Sequence, residues 1–306
     1  MIHRYFDFVE IKTKITSIFA FAMALAYLYY LFQPIDWLRT GIFFFAMFIF
    51  DLTTTGINNY IDTKTNDQSL QFSRPVALAI IFGMLAVSGG LGILLAALTD
   101  WVVLGVGMLC FICGIFYTFG PVPVSRVPLG EVLSGLFYGL LIPFLLLYIN
   151  LPDGSLATFG LAHGTATFTA YLLPLLALGL LCWTPMVCTA NIMLANNICD
   201  LEKDILVNRH TLPYYIGKKR AVTLYSLLYY STYAAAVLMV VLNFLPLPYL
   251  LLLLTIVPVE RNLHQFRQKQ IKADTFMTSI KNYIVLMASQ CIILALCGVV
   301  AHYEIF

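Results

Sequence analysis

The chemistry-bearing residues of this 306-residue chain concentrate in two short stretches that echo each other: Asn58-Asn59-Tyr60-Ile61-Asp62 and Asn196-Asn197-Ile198-Cys199-Asp200. At 100° per residue, Asp51, Thr55, Asn58 and Asp62 share one stripe of a helix. Thr189, Met193, Asn196 and Asp200 repeat that stripe, with Asp204 one turn further on. Hard oxygen donors at this density suit Mg²⁺, which binds through one or two carboxylates together with substrate phosphates. Lys64 and Arg74 follow the first stretch; Lys203, Arg209 and His210 follow the second. Mixed acids and bases make a poor anion site alone. With a bridging Mg²⁺, the same mixture binds a diphosphate and neutralises it as it departs. The plainer alternative is that these are ordinary helix-end acids and loop charges near a membrane interface.

The elements that hold these residues are apolar. Hydrophobic residues make up 61% of the chain and charged ones 10%, against about 25% charged in a soluble domain. That balance excludes a cytosolic globular enzyme, a disordered chain and a nucleic-acid binder. At about 20 residues per crossing, apolar runs near 15–33, 41–59, 75–98, 101–118, 129–149, 169–197, 219–242, 246–259 and 281–303 predict an all-α bundle of nine transmembrane helices. Residues 2–14 are expected to form an interfacial helix, with Ile2, Tyr5, Phe6 and Val9 on one stripe. With the N-terminus inside, every one of the 17 basic residues except Arg39 falls on the cytoplasmic side, as the positive-inside rule requires. The expectation is a multi-pass protein of the cytoplasmic membrane, N-in and C-out, forming one membrane-embedded domain over 1–306. Its site loops, at 60–74, 119–128, 200–218 and 260–280, face the cytoplasm.

The recurring Asn-Asn-x-x-Asp closes a helix on the same side in both copies, which suggests duplicated four-helix halves with a ninth helix added. The seven cysteines, including Cys110 and Cys113 at CxxC spacing, read as free thiols in bilayer helices, since no second Cys/His pair accompanies them. The first residues lack the short apolar core and small-residue site of a cleaved signal peptide. His163, the Lys218-Lys219-Arg220 run and the Phe43–Phe45 cluster read as solvated, topological and packing residues. The Arg261–Lys272 cluster fits a cap over the site and anionic-lipid contact equally well.

Asn196 to Asp204, followed by Asn208-Arg209-His210-Thr211-Leu212, resembles the second aspartate-rich motif of the UbiA superfamily of intramembrane prenyltransferases. The likeness is greatest to its menaquinone branch, the 1,4-dihydroxy-2-naphthoate polyprenyltransferases. Asn58, Asp62 and Asn66/Asp67 resemble the first motif. Val9–Lys14, Tyr117–Pro121 and Pro128–Glu131 are further likenesses, so the resemblance covers nearly the whole chain. Asn59 departs from it, standing where many members have Asp; the first motif's last acid is either replaced by Asn66 or shifted to Asp67, and Phe119 stands in place of Gly.

The resemblance implies nine helices and transfer of a polyprenyl group from a polyprenyl diphosphate to an aromatic acceptor, 1,4-dihydroxy-2-naphthoate with loss of CO₂. It implies that Asn58, Asp62, Asp67, Asn196, Asp200 and Asp204 hold Mg²⁺ against the diphosphate. Lys64, Arg74, Arg126 and Arg209 would contact the diphosphate oxygens. Tyr117 either steadies the allylic cation or is an ordinary interfacial tyrosine. A proton acceptor is expected at Asp67 or Glu202. Rival readings are another acceptor (4-hydroxybenzoate, homogentisate or a lipid alcohol) and a cation-coupled transporter, though transporters place their acids near the midplane.

Overall fold

A computed structural model describes residues 2–64, 69–119, 123–162 and 164–303. The chain divides into two compact units: Met1–Ile18, Ile35–Val124 and Ala157–Thr169 form the first, and Phe19–Pro34, Ser125–Leu156 and Ala170–Phe306 the second. In chain order the α-helices are α1 (Ile2–Phe8), α2 (Ile15–Tyr30), α3 (Trp37–Asp62), α4 (Arg74–Ala97), α5 (Trp101–Phe116), α6 (Gly130–Ser134), α7 (Ile142–Tyr148), α8 (Leu172–Leu206), α9 (Leu212–Ile216), α10 (Lys218–Val241), α11 (Ile256–Gln268) and α12 (Met277–His302). Among the described residues, seven helical segments are long and apolar enough to cross a membrane: Ile11–Tyr30, Trp37–Asp62, Arg74–Ala97, Gly130–Tyr148, Leu172–Leu206, Lys218–Val241 and Met277–His302. Two expected spans look different. α5 has only 16 residues. The run at 246–259 is a 3₁₀ segment, Leu247–Thr255, that leads into α11. Pro246, Pro248 and Pro258 bracket this run, and none has an amide hydrogen to give to an α-helical ladder.

Two expectations from the sequence are corrected. A two-stranded hairpin, β1 (Ala157–Ala162) with β2 (Thr165–Ala170), interrupts the all-α pattern. Alternating β-branched Thr residues favour strands, and Gly164, at φ 77°, supplies the left-handed turn. The sixth long helix therefore starts at Leu172, after the hairpin, and not at 169. The stretch 2–14 is also not one helix. It breaks after α1, with Glu10 left-handed at φ 46°, and resumes as the 3₁₀ turn Ile11–Lys14. A continuous helix would put the consecutive Phe8 and Val9 on diverging directions. Turning the chain buries both completely, against Leu52, Ile57, Ala77 and Ile81.

In the first unit this N-terminal segment is locked to α3 by an internal ion pair. Lys14 Nζ donates to Asp51 Oδ1 at 2.8 Å, to the Asp51 carbonyl at 2.9 Å and to Thr55 Oγ1 at 2.5 Å. Ser17 Oγ donates to Asp51 Oδ2 at 2.6 Å. Both charged side chains are at most 5% exposed. Asp51, the deepest acid of the first stripe, is therefore a structural counter-ion.

In the second unit, α8 is the organising element. Its 35 residues extend about 52 Å at 1.5 Å per residue, well beyond a hydrocarbon core of about 30 Å. Pro185 lies inside α8 and cannot donate to the Leu181 carbonyl. Gln290 Nε2 of α12 donates to that oxygen instead, at 3.0 Å. Opposite Pro185, the chain from α6 to α7 runs through a π-helical segment, Gly135–Leu141. A Cβ on Gly139 would fall 2.3 Å from the Met186 amide nitrogen, and one on Gly135 would fall 2.7 Å from the Met186 carbonyl oxygen. Glycine at these two positions lets the backbones touch.

Removing one partner of a buried ion pair leaves the other charge uncompensated, at a cost of about 3–5 kcal/mol. Asp51→Asn is expected to destabilise the detergent-solubilised protein by about 3 kcal/mol, whereas Lys14→Met combined with Asp51→Leu recovers most of the loss. Thermal unfolding of the three proteins checks this; wild-type stability in Asp51→Asn would refute the pairing.

Candidate active site

The first acidic motif ends α3, in the first unit. Asn58 and Asp62 are half-buried on the stripe that carries Asp51. Thr118, buried just after α5, hydrogen-bonds through its hydroxyl to Asn58 Oδ1; its neighbour Tyr117 caps α5. Asn59 takes no part in that stripe: its Nδ2 donates to the Phe8 carbonyl at 2.9 Å. That bond needs an amide donor and accounts physically for Asn in place of Asp at this position. Lys64 lies over the Tyr60 ring, 4.9 Å from its centroid. Arg74 caps the C-terminus of α3, donating to the Tyr60 and Thr63 carbonyls, each at 3.1 Å. Both donor arms of its guanidinium thus satisfy carbonyls that the helix end leaves open. Asn66 and Asp67 lie outside the described residues, as do Gly120, Pro121 and His163.

The second motif lies near the C-terminal end of α8, in the second unit. Asn196, Asp200 and Asp204, at successive four-residue spacings, follow one stripe of the helix, with Asn197 at its edge beside Asp204. The Lys272 ammonium donates to Asp200 Oδ2. Arg209 Nε lies 3.7 Å from Asp204 Oδ1, and the Arg209 amide donates to the Asp204 carbonyl at 2.8 Å. Asp204 is 5% exposed, and its Oδ2 has no hydrogen-bond partner among the described residues. The His210 amide donates to the Arg126 carbonyl at 3.1 Å. This bond pins the 3₁₀ turn that carries Arg126 to the strand of chain following the motif. Glu202, in contrast, is 89% exposed in its side chain and faces Lys218 at 3.7 Å.

The second asparagine plays the same part in both motifs. As Asn59 tethers α3 to α1, Asn197 Nδ2 donates to Glu131 Oε1 at 2.8 Å, tethering α8 to α6. Glu131 is 4% exposed and Asn197 3%; Glu131 Oε2 and Asn197 Oδ1 have no partner among the described residues. Glu131 and Lys272 are the residues that the spacing argument missed. A carboxylate just inside an apolar segment was the available signal for Glu131. Lys272 lay in a basic cluster with nothing to single it out.

Among the described residues, no three His, Cys, Asp or Glu side chains converge on a point that could hold a metal. The donor set on α8 is nonetheless of the kind a magnesium ion accepts. It has two carboxylates one turn apart, a carboxamide beside one of them, and an unsatisfied buried oxygen on Asp204. Mg²⁺ keeps several waters and completes its shell with phosphate oxygens, so a full protein cage is not needed.

Comparison with known proteins gives this arrangement its context. A 1,4-dihydroxy-2-naphthoate octaprenyltransferase from Bacillus subtilis (strain 168) is 27% identical over 134 residues, covering 44% of this chain and 37% of that protein; the match spans little more than a third of the relative's length. Among solved structures, a UbiA homolog from Aeropyrum pernix K1 matches with a TM-score of 0.64 at 16% identity, over 93% of this chain and 98% of that one. A UbiA homolog from Archaeoglobus fulgidus bound to DMAPP and Mg²⁺ matches with a TM-score of 0.62 at 12% identity, over 95% and 99%. At such identities these structures speak to the fold. The model of the UbiA prenyltransferase family matches residues 17–282, and the chain belongs to that family of membrane enzymes.

Proposed function

We propose that this protein transfers a polyprenyl group from a polyprenyl diphosphate to 1,4-dihydroxy-2-naphthoate, in a Mg²⁺-dependent reaction of menaquinone biosynthesis. The observation that carries the proposal is the pair Asp200 and Asp204. The two carboxylates stand one turn apart near the C-terminal end of α8, each faced by a cation, Lys272 and Arg209. Asn196, Asp200 and Asp204 would hold the metal, and Asn58 and Asp62 offer the same donor types in the first unit; Asp67 is a further ligand in this reading. Bound Mg²⁺ supplies the charge that neutralises the departing diphosphate. The structure of the Archaeoglobus fulgidus homolog with DMAPP and Mg²⁺ supports the substrate class, and the Bacillus subtilis relative supports the acceptor.

The chain's own residues have these roles. Arg209 and Lys272 carry the positive charge that a diphosphate requires, and Lys64 and Arg126 add to it. Arg74 holds the end of α3 in shape and acts on substrate only through that helix. The Tyr117 ring, at the end of α5, would stabilise positive charge on the allylic carbon. The acceptor's carboxylate-bearing ring carbon attacks that carbon, the C–O bond to diphosphate breaks, and the carboxylate leaves the ring carbon as CO₂, its bonding pair restoring the aromatic ring. The whole chain acts as one membrane-embedded catalytic domain. Nine crossings with an inside N-terminus place both motifs at the cytoplasmic face; α5 and the 3₁₀–α11 segment are the two crossings that fall short by length or composition.

Removing a metal ligand or transition-state charge partner costs about 100-fold or more. Asp200→Ala and Asp204→Ala are therefore each expected to reduce transfer from labelled farnesyl diphosphate by about 100-fold or more, with thermal unfolding unchanged or nearly so. EDTA is expected to abolish wild-type activity and Mg²⁺ to restore it. Near-normal turnover in Asp200→Ala would overturn the metal assignment.

For the acceptor, the expected product is a prenylated naphthoquinol without its carboxyl group, formed with one CO₂ per transfer. Mass spectrometry of the product and trapping of labelled CO₂ measure this. A retained carboxylate, or preferential use of 4-hydroxybenzoate, would assign the protein to another acceptor.

In a variant lacking the native cysteines, single cysteines placed near Asp62, Arg126, Asp204 and Lys269 are expected to react with impermeant reagents from the cytoplasmic side alone. Labelling at Lys269 from outside would contradict the nine-crossing topology.

A further inference from the structure

Beside the second acidic motif, whose Glu202 faces Lys218, the second unit contains a cavity of about 650 Å³ between the first turns of α10 and the end of α11. Its charged lining is Lys218, Lys219 and Arg267; among the described residues no carboxylate belongs to that lining. The Arg267 guanidinium is fixed from two sides. Its Nε donates to Ser226 Oγ at 3.0 Å, and Nη1 donates to Glu260 Oε1 at 3.0 Å. Tyr230 hydrogen-bonds both to Arg267 and to Glu260 Oε2, the latter at 2.6 Å. The Tyr230 hydroxyl, followed by Arg267, holds the Glu260 carboxyl below the usual carboxylate range, so Glu260 stays ionised and anchors Arg267 at neutral pH. Glu260 offsets one charge. Lys218 faces only the exposed Glu202, at 3.7 Å, and Lys219 forms no ion pair among the described residues. The positive end of the α10 dipole adds to this field.

The rest of the lining mixes polar Thr223, Ser226, Tyr230 and Gln270 with apolar Val222 and Leu227, and the apolar pair continues the cavity along α10. Leu227 is 57% exposed. Cations at the first turn of α10 are thus followed, further along the helix, by exposed apolar surface. A ligand that satisfies both ends has an anionic head and an apolar tail.

We propose that this cavity binds the phosphate headgroup of an anionic membrane phospholipid, with its acyl chains lying along α10. A basic pocket between spanning helices is the usual setting for such recognition. The absence of lining carboxylates argues against the other phosphate-headed amphiphile relevant here, a prenyl diphosphate carried with a divalent metal. Such a ligand needs hard anionic oxygens from the protein to share the ion. A phosphodiester headgroup needs no metal and is matched by ammonium and guanidinium donors alone. The site goes beyond the transferase reading, and its test reads lipid binding without reference to turnover.

The experiment is native mass spectrometry of the purified full-length protein titrated with phosphatidylglycerol or phosphatidylcholine. The wild type is expected to prefer phosphatidylglycerol, and Lys218→Gln with Lys219→Gln to weaken that preference by about 30-fold, at the usual contribution of one lysine near an anionic lipid. Arg220→Gln, next in sequence but outside the cavity lining, is expected to keep it. The double variant leaves the Arg267–Glu260–Tyr230 network intact, so loss of folding does not confuse the result. Equal binding of the two lipids by the wild type would overturn the proposal, as would a preference that survives in the double variant. Displacement of phosphatidylglycerol by metal-free farnesyl thiodiphosphate would assign the cavity to substrate, and displacement by millimolar inorganic phosphate to soluble anions. Either result also overturns it.

Discussion

A polar group carried into an apolar helix must find its partner inside the protein, because hydrocarbon offers none. That constraint governs where this chain is rigid. Asp51 lies deep in α3, where an unpaired carboxylate would be costly. Lys14 and Ser17 meet it there, so the N-terminal segment cannot leave α3 without exposing a buried charge. The end of α3 is fixed by the same need. Arg74 fills its terminal carbonyls, and Asn59 holds the Phe8 carbonyl. Asn58 and Asp62, further along the stripe that carries Asp51, are presented at a helix end whose position is set by these neighbouring contacts.

The second unit solves the same problem around a proline. Pro185 leaves the Leu181 carbonyl without its helical donor, and Gln290 replaces it. Across from the proline, the glycines of the π segment let the backbone reach Met186 with no side chain between them. An extra residue in a helical turn rotates the residues before it relative to those after it. Here the residues before it include Glu131, which meets Asn197. The pairing of a π segment with a helix-interior proline thus fixes the face that α8 shows to α6. With Asn197 directed to Glu131, Asn196 and Asp200 are turned to a different face.

Much of this was legible in the sequence, and the reasons for success and failure are physical. Long apolar runs and helix-end acids leave strong periodic signals, so the principal spans and the Asn/Asp stripes were readable from spacing alone. The positions of Asp51, Asn59 and Arg74 along their helices were readable too, yet their partners were not foreseeable. Lys14 is 37 residues from Asp51, the Phe8 carbonyl is 51 residues from Asn59, and a backbone acceptor carries no residue type to read. The hairpin at Ala157–Ala170 was missed because its alternating Thr and apolar residues fall between two hydrophobic runs and merge with the start of the next. The run at 246–259 was counted as a short crossing on its apolar length; its opening Pro246-Leu247-Pro248 was visible, but not that the chain would answer it with the 3₁₀ segment Leu247–Thr255.

On the proposed function, in which Asp200 and Asp204 would hold Mg²⁺ against a diphosphate, their pairing with Lys272 and Arg209 bears on how that site would behave without substrate. Two carboxylates one turn apart repel each other, and a nearby cation for each removes that cost. A divalent metal competes with those cations for the same oxygens, so its affinity is reduced by whatever the ion pairs contribute. A ligand bearing several negative charges reverses the balance. It gives Lys272 and Arg209 new acceptors at the moment the carboxylates accept the metal, so that metal and diphosphate each bind better in the presence of the other. By linkage this coupling is reciprocal. The ion pairs that keep the acids neutralised in the free protein are, on this argument, also what makes metal binding depend on substrate.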